Sequence, residues 1–203
     1  MKLRYSPTSP FVRKATVTLL EKGLEDRVER VATDPWATDT DLPSDNPLGK
    51  VPTLILDDGR ILHDSPVICD YLDSLSESPK LIPATGALRW DVLTMQSVGD
   101  GILDATVLHF LENAKRPAEA RWAFWSDRQL DKVRATLDLL ERAPGCLEGP
   151  INLGQITVAV ALAYVDFRLA EEDWRNRCHH LAAWYRAFSS RPSMLATVPV
   201  APS

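Results

Sequence analysis

The chain is poor in the features that mark several large protein classes. Its three cysteines, Cys69, Cys146 and Cys178, are an odd number and form no Cys-x-x-Cys pair, which leaves neither a disulfide framework nor a zinc knuckle and reads as free buried thiols. No basic block or stripe occurs, and 28 acidic against 23 basic residues give a formal net charge of -5, so a nucleic-acid role is excluded. The longest apolar stretch, Ile156 to Val165, is about half of what a membrane span needs. Met1-Lys2-Leu3-Arg4 leads into a strand pattern and not into the apolar core of a signal peptide, so a cytoplasmic location is expected. Internal repeats and low-complexity segments are also missing. What is present is 203 residues with 45% hydrophobic content, enough for one large or two small globular cores.

Periodicity changes near residues 77 to 86, where Glu77-Ser78-Pro79-Lys80-Leu81-Ile82-Pro83-Ala84-Thr85-Gly86 carries linker punctuation. Strand signals precede it at Leu3 to Tyr5, Val28 to Ala32, Thr53 to Leu56 and Arg60 to Leu62, with helical patterns at Phe11 to Lys22 and Pro66 to Leu75. Asp57-Asp58-Gly59 is a hairpin turn, so the last two strands should be antiparallel, whereas the intervening helix implies a parallel first pair. The reading is a small α/β domain of thioredoxin type over 1–78, a linker over 79–86 and an all-α domain over 87–203. In the latter, Asn152 and Gln155 form a capping-box pattern opening a run that is apolar nearly all round, expected as the buried centre.

The most informative segment is Arg4-Tyr5-Ser6-Pro7-Thr8-Ser9-Pro10-Phe11-Val12, a strand passing through a hydroxyl-rich turn into a helix. Ser9-Pro10-Phe11-Val12 has the shape of a Cys-Pro-aromatic-Cys redox motif with both sulfurs missing, so it cannot shuttle electrons through its own dithiol. A hydroxyl at a helix N-terminus remains, where the dipole and free N–H groups favour a sulfur anion brought in by a ligand. Taken alone, Ser9 is equally well an ordinary N-cap with Pro10 at the first helical position. Ionising a thiol of pKa ~8.5 at neutral pH requires about two units, or ~2.7 kcal/mol. A hydrogen bond to a charged acceptor contributes ~1.5–3 kcal/mol and a helix N-terminus roughly 0.3–1 more, enough together.

Two further motifs carry chemistry. Val51-Pro52 enters an apolar strand at a position that has no N–H for the ladder; a cis bond there would turn the Val51 N–H and C=O outward, able to pair with a bound peptide. Asp64-Ser65-Pro66 reads either as an N-cap serine followed by proline or as an amino-acid site, with Ser65 on an α-carboxylate and Asp64 on the adjacent ammonium. Lys50 can meet a ligand carboxylate or stay a solvated charge.

Ser9-Pro10-Phe11, Asn46-Pro47-Leu48-Gly49-Lys50-Val51-Pro52-Thr53-Leu54 and Asp64-Ser65, in this order, resemble the glutathione S-transferase superfamily, with Ser9 where serine-type bacterial members carry their thiol-activating residue. The resemblance implies a thioredoxin-like N-terminal domain with an all-helical C-terminal domain, and glutathione bound as co-substrate by Ser9, Phe11, Lys50, Val51, Asp64 and Ser65. It implies Ser9 as the catalytic residue, with Tyr5, Ser6 and Thr8 as competing hydroxyls, a small hydrophobic electrophile as acceptor, a homodimer, and no metal. Asn152 and Gln155 stand where the family usually has Ser/Thr and Asp.

Other residues fare worse. Cys178-His179-His180 has no carboxylate cluster to complete a metal shell, and adjacent helical positions point about 100° apart. Trp90, Trp122, Phe124 and Trp125 are expected in the core more than in a pocket, and Asp100, Asp104 and His109 receive no catalytic role. The expected function is transfer of glutathione sulfur to an electrophile. Two competitors are a glutathione-dependent reductase, which the missing cysteines oppose, and a non-catalytic binding module such as the stringent starvation protein family resembles.

Overall fold

A computed structural model describes residues 1–200 of the chain. Four strands, β1 (Lys2–Tyr5), β2 (Glu29–Ala32), β3 (Thr53–Ile55) and β4 (Ile61–His63), form one mixed sheet in the order β2-β1-β3-β4. β1 and β2 are parallel because helix α1 (Pro10–Glu21) crosses between them, and β3 and β4 are antiparallel across the Asp57-Asp58-Gly59 turn. Gly59 takes φ 84 in that turn, and its N–H donates to the Leu56 carbonyl. A short helix α2 (Leu42–Asp45) lies before β3, held to β1 by Arg4, which donates to Asp41 and Asp45. The Arg4 guanidinium keeps the Asp41 carboxyl below its usual range. Helix α3 (Ser65–Ser74) packs on α1, and Leu3, Val12, Leu54, Ile68 and Leu72 are fully buried between the layers.

The ends of these helices are tied to the following segment through charge. The buried Lys22 ammonium donates to Asp73 at 2.9 Å and to the Ser76 and Pro79 carbonyls, while Asp73 accepts from the Leu81 and Ile82 N–H groups. A buried ion pair keeps its place only when its remaining lone pairs and protons are satisfied in this way.

The remaining helices are α4 (Ala87–Ala114), α5 (Ala123–Arg142), α6 (Leu153–Arg168), α7 (His179–Ser189) and the short α8 (Pro192–Leu195). Contacts divide the chain into two compact units: Met1–Pro83 with the segment from Pro192, and Ala84–Arg191. In the second unit α6 is buried along Leu153 to Val165 and packs most closely on α4. The approach depends on two glycines. A Cβ on Gly99 would lie 2.8 Å from Thr157 Cγ2 and 2.9 Å from its carbonyl carbon, and one on Gly154 2.7 Å from Met95 Cβ. The expected capping box is formed: Asn152 Oδ1 accepts from Gln155 N–H at 3.0 Å and Gln155 Oε1 from Asn152 N–H at 3.1 Å.

Three sequence expectations change. Residues 192–200, read as part of the helical domain, group with the first unit, because Pro192 stops the chain from continuing α7 and α8 lies on α1. There the buried Arg13 of α1 donates to the Met194 carbonyl at 3.0 Å and the Thr197 hydroxyl at 3.2 Å, and Ser193 donates to Glu21. Trp90, Trp122 and Phe124 are not core residues: they are 66%, 58% and 59% exposed, Trp122 lying stacked on Trp125 and tilted against Phe124. Helical spacing placed them on one face without showing that no other element covers it. Cys69 and Cys178 are buried, but Cys146 is exposed, in the turn after α5.

Candidate functional site

The register of the sheet gathers the three sequence motifs. Val31, Arg4, Thr53 and His63 form one row across β2, β1, β3 and β4. The chain leaves β1 just beyond this row toward Ser9, enters β3 just before it through Val51-Pro52, and leaves β4 just after it into Asp64-Ser65. All three therefore lie at one end of the sheet. β1 and β4 are two strand spacings apart, about 10 Å, which is the span of an extended tripeptide.

Ser9 is the N-cap of α1 with Pro10 at the first position, and its Oγ accepts from the Val12 N–H at 3.3 Å. The cap uses the oxygen as acceptor and leaves the hydroxyl proton to be donated elsewhere. A small, shallow depression open to solvent adjoins it, lined by Tyr5, Ser6, Pro7, Ser9, Val12, Arg13, Thr16 and Thr197. Of the competing hydroxyls, Tyr5 and Ser6 line this depression and Thr8 does not. Phe11, half-buried in the first turn of α1, is outside the lining as well.

Val51-Pro52 is a cis peptide. Among the described residues neither the N–H nor the C=O of Val51 makes a hydrogen bond, so both are available to a ligand backbone. The segment before it is fixed by Asn46, 1% exposed, whose side chain donates to the Lys50 carbonyl and the Thr53 hydroxyl at 3.0 Å and accepts from the Leu48 N–H at 3.0 Å. Sequence reasoning gave Asn46 no role of its own. The signal was Asn-Pro followed by Gly49, which takes φ 61, a pattern of a side-chain-stabilised turn. The Lys50 ammonium is exposed and joins no ion pair among the described residues.

Asp64 has φ 72 and ψ 132, outside the regions L residues prefer, and is the only described non-glycine residue with positive φ. Its exposed carboxylate does not cap α3. Ser65, 0% exposed at the first position of that helix, has an Oγ with no hydrogen-bond partner among the described residues. A buried hydroxyl without a partner is unfavourable by ~1–3 kcal/mol, unless a ligand supplies the missing bond. The sheet end thus carries two helix N-termini, α1 with a hydroxyl donor and α3 with an unsatisfied one, and an unpaired peptide group at Val51. Such an arrangement takes an anion at each helix and an extended peptide backbone in the middle.

Among the described residues no group of three or more His, Cys, Asp or Glu side chains is placed to hold a metal ion, and no helix is long and apolar enough to cross a membrane. His109 Nδ1 lies 3.0 Å from Ser126 Oγ and 3.2 Å from the Ser126 carbonyl. The carbonyl is an acceptor only, so this nitrogen carries the proton, and the pair joins α4 to α5 instead of forming a nucleophile and its base.

The chain is similar to known proteins of one family along nearly its whole length. Residues 8–75 match the family model of the glutathione S-transferase N-terminal domain and residues 123–187 that of the C-terminal domain. The chain is 35% identical over 202 residues, 98% of each chain, to the uncharacterized GST-like protein YibF of Escherichia coli K12. A crystal structure of a glutathione transferase family member from Pseudomonas fluorescens Pf-5 with bound glutathione is 46% identical, covers 98% of this chain and 99% of that one, and superposes with a TM-score of 0.94. A structure of a family member from the same organism holds S-(propanoic acid)-glutathione, with 44% identity over 99% of this chain and all of that one and a TM-score of 0.92.

Proposed function

Because this chain belongs to the glutathione S-transferase family, we propose that it is a glutathione transferase: it binds glutathione at the sheet end, stabilises the thiolate with Ser9 and transfers the sulfur to a small electrophile. The observation that carries the reading is the convergence of three unfilled groups at one end of the sheet: the Ser65 hydroxyl, the Val51 peptide and the Ser9 hydroxyl proton. In this reading the α-carboxylate of the glutamyl end takes the Ser65 hydroxyl and the α3 N-terminus, with Asp64 on the adjacent ammonium. The cysteinyl backbone pairs with Val51, its sulfur reaches Ser9, and Phe11 and Lys50 border the tripeptide. Glutathione and its thioether with propanoic acid in the Pseudomonas relatives support both a substrate and a product of this chemistry.

The sulfur attacks as an anion because the Ser9 O–H donates to it while the dipole of α1 favours negative charge. The test is the ultraviolet thiolate absorbance of bound glutathione across pH. With wild type the bound thiol should titrate about two units below the free value of ~8.5, and with Ser9→Ala the lowering should be lost. No lowering in wild type would make Ser9 a helix cap and leave the fold as a binding module.

The proposal includes a cytoplasmic homodimer. Leu88 and Trp90 on α4 are 62% and 66% exposed, apolar surface that a second copy would cover. Sedimentation showing only monomer across concentrations would refute that part.

A further inference from the structure

The last side chain of α6 carries a charge that the fold leaves unanswered. The half-buried Arg168 guanidinium carbon lies 4.0 Å from the ring centroid of Phe110 on α4 and 4.3 Å from that of Phe167, with the Tyr164 ring at 5.7 Å. Residues four apart on a helix share a face, which brings Tyr164 and Arg168 together, and the close packing of α4 on α6 supplies Phe110. Rings at these distances favour the cation but offer it no hydrogen-bond acceptor. Arg168 forms no ion pair among the described residues, and its buried Nε–H has no partner. The acids nearest in sequence are spent elsewhere. Asp166 accepts from Arg175 at 2.6 and 2.7 Å and from the Trp174 indole at 2.9 Å, and Glu172 accepts from Arg134. Nor does the guanidinium cap its own helix, since it donates to no carbonyl of the last turn. Tyr164 is 4% exposed, and burial pushes its phenol up against the opposing pull of Arg168, so at neutral pH it is a donor. No other charged side chain acts on it, and its proton has no acceptor among the described residues.

We propose that Arg168 and Tyr164 form a binding site, within the helical unit, for an apolar molecule that bears a single carboxylate. The inference goes beyond the transferase reading and shares no residue with the glutathione site. Two donors and no acceptor at one point select an anion over a neutral or cationic ligand. A guanidinium between two rings is shielded on its faces and bonds in its own plane, where its N–H pairs match the two oxygens of a carboxylate. One cation answers one negative charge, whereas a phosphate dianion would keep a second charge uncompensated in partly buried surroundings. Phe110 and Phe167, both half-buried, give the body of the acid an apolar bed.

The probes are 4-phenylbutyrate, its neutral amide and inorganic phosphate, titrated calorimetrically into the full chain with and without saturating glutathione. The acid should bind about tenfold or more tightly than the amide, and neither phosphate nor glutathione should displace it. Arg168→Gln should remove the preference for the acid, and Arg168→Lys, which keeps the charge but loses the fork, should reduce it severalfold. Tyr164→Phe should weaken binding of the acid by a smaller factor and leave the amide unchanged. Equal binding of acid and amide by wild type, or no binding of either, would overturn the inference, as would a preference for the acid that survives Arg168→Gln. Displacement by phosphate would make this a phosphate site, and displacement by glutathione would put the probe at the sheet end; either result overturns it. If circular dichroism shows that Arg168→Gln does not fold, the acid-to-amide ratio in wild type, Arg168→Lys and Tyr164→Phe decides, and a ratio equal in all three overturns the inference.

Discussion

The two units treat their helix N-termini in opposite ways. In the helical unit the protein satisfies those of α5, α6 and α7 itself, α4 alone opening at Gly86 without a side-chain cap. Asn152 and Gln155 cap α6 reciprocally, Glu112 of α4 accepts from the Trp122 N–H at 2.7 Å where α5 begins, and Glu141 of α5 accepts from the His180 and Leu181 N–H groups at the start of α7. In the sheet unit α1 has a cap bond of 3.3 Å whose donor side is unspent, and α3 has none, with a buried serine hydroxyl left over. Every helix leaves about four N–H groups without an intrahelical partner. Where the scaffold fills them the end is structural; at α1 and α3, where a hydroxyl is left over, the proposed function puts a ligand's charge.

The contrast is broken most severely at Ser65. Ser65→Ala removes a hydroxyl that has no partner in the folded protein, so its folding stability should stay within about 0.5 kcal/mol of wild type or rise. The same change should weaken glutathione binding about tenfold or more, the loss of a hydrogen bond to a charged group of ~1.5–3 kcal/mol. Calorimetric titration and denaturant unfolding on one preparation separate the two. A variant that unfolds early but binds normally would place Ser65 with the structural ends.

Glu141 gives the smaller and opposite effect. Burial pushes its carboxyl upward, yet hydrogen bonds from the Leu181 and His180 N–H groups and the nearby His180 and His179 hold it below its usual range. Its contribution is therefore complete above the ordinary carboxylate pKa and is lost as pH falls through the lowered folded value. Glu141→Gln should reduce stability at neutral pH by about 0.5–1 kcal/mol. The difference from wild type should shrink on acidification, as read by urea unfolding at several pH values, with glutathione affinity unmoved. A difference that grows in acid would contradict the assigned sign.

Features governed by neighbours in the chain were legible in the sequence. The hairpin at Asp57-Asp58-Gly59, the capping box at Asn152 and Gln155, and the apolar run of α6 depend on spacing over a few residues, and the structure places each as expected. The glutathione transferase family and its two-part architecture followed from three short motifs in order. What escaped depends on elements far apart in sequence. The exposure of Trp122 and Phe124 follows from no other element covering that face, and the attachment of residues 192–200 to α1 follows from Arg13 meeting Met194 and Thr197.

The return of residues 192–200 to the first unit also sets an order on biosynthesis. Protein chains emerge from the ribosome from the N-terminus, and a domain contiguous in sequence folds once its last residue is out. The sheet unit is made first, yet its wall beside Ser9 contains Thr197, and so it is finished only after all of Ala84–Arg191 has been translated. The helical unit, contiguous in sequence, has its complete set of residues earlier. The wall beside Ser9 therefore receives its last residue later than any part of the helical unit does.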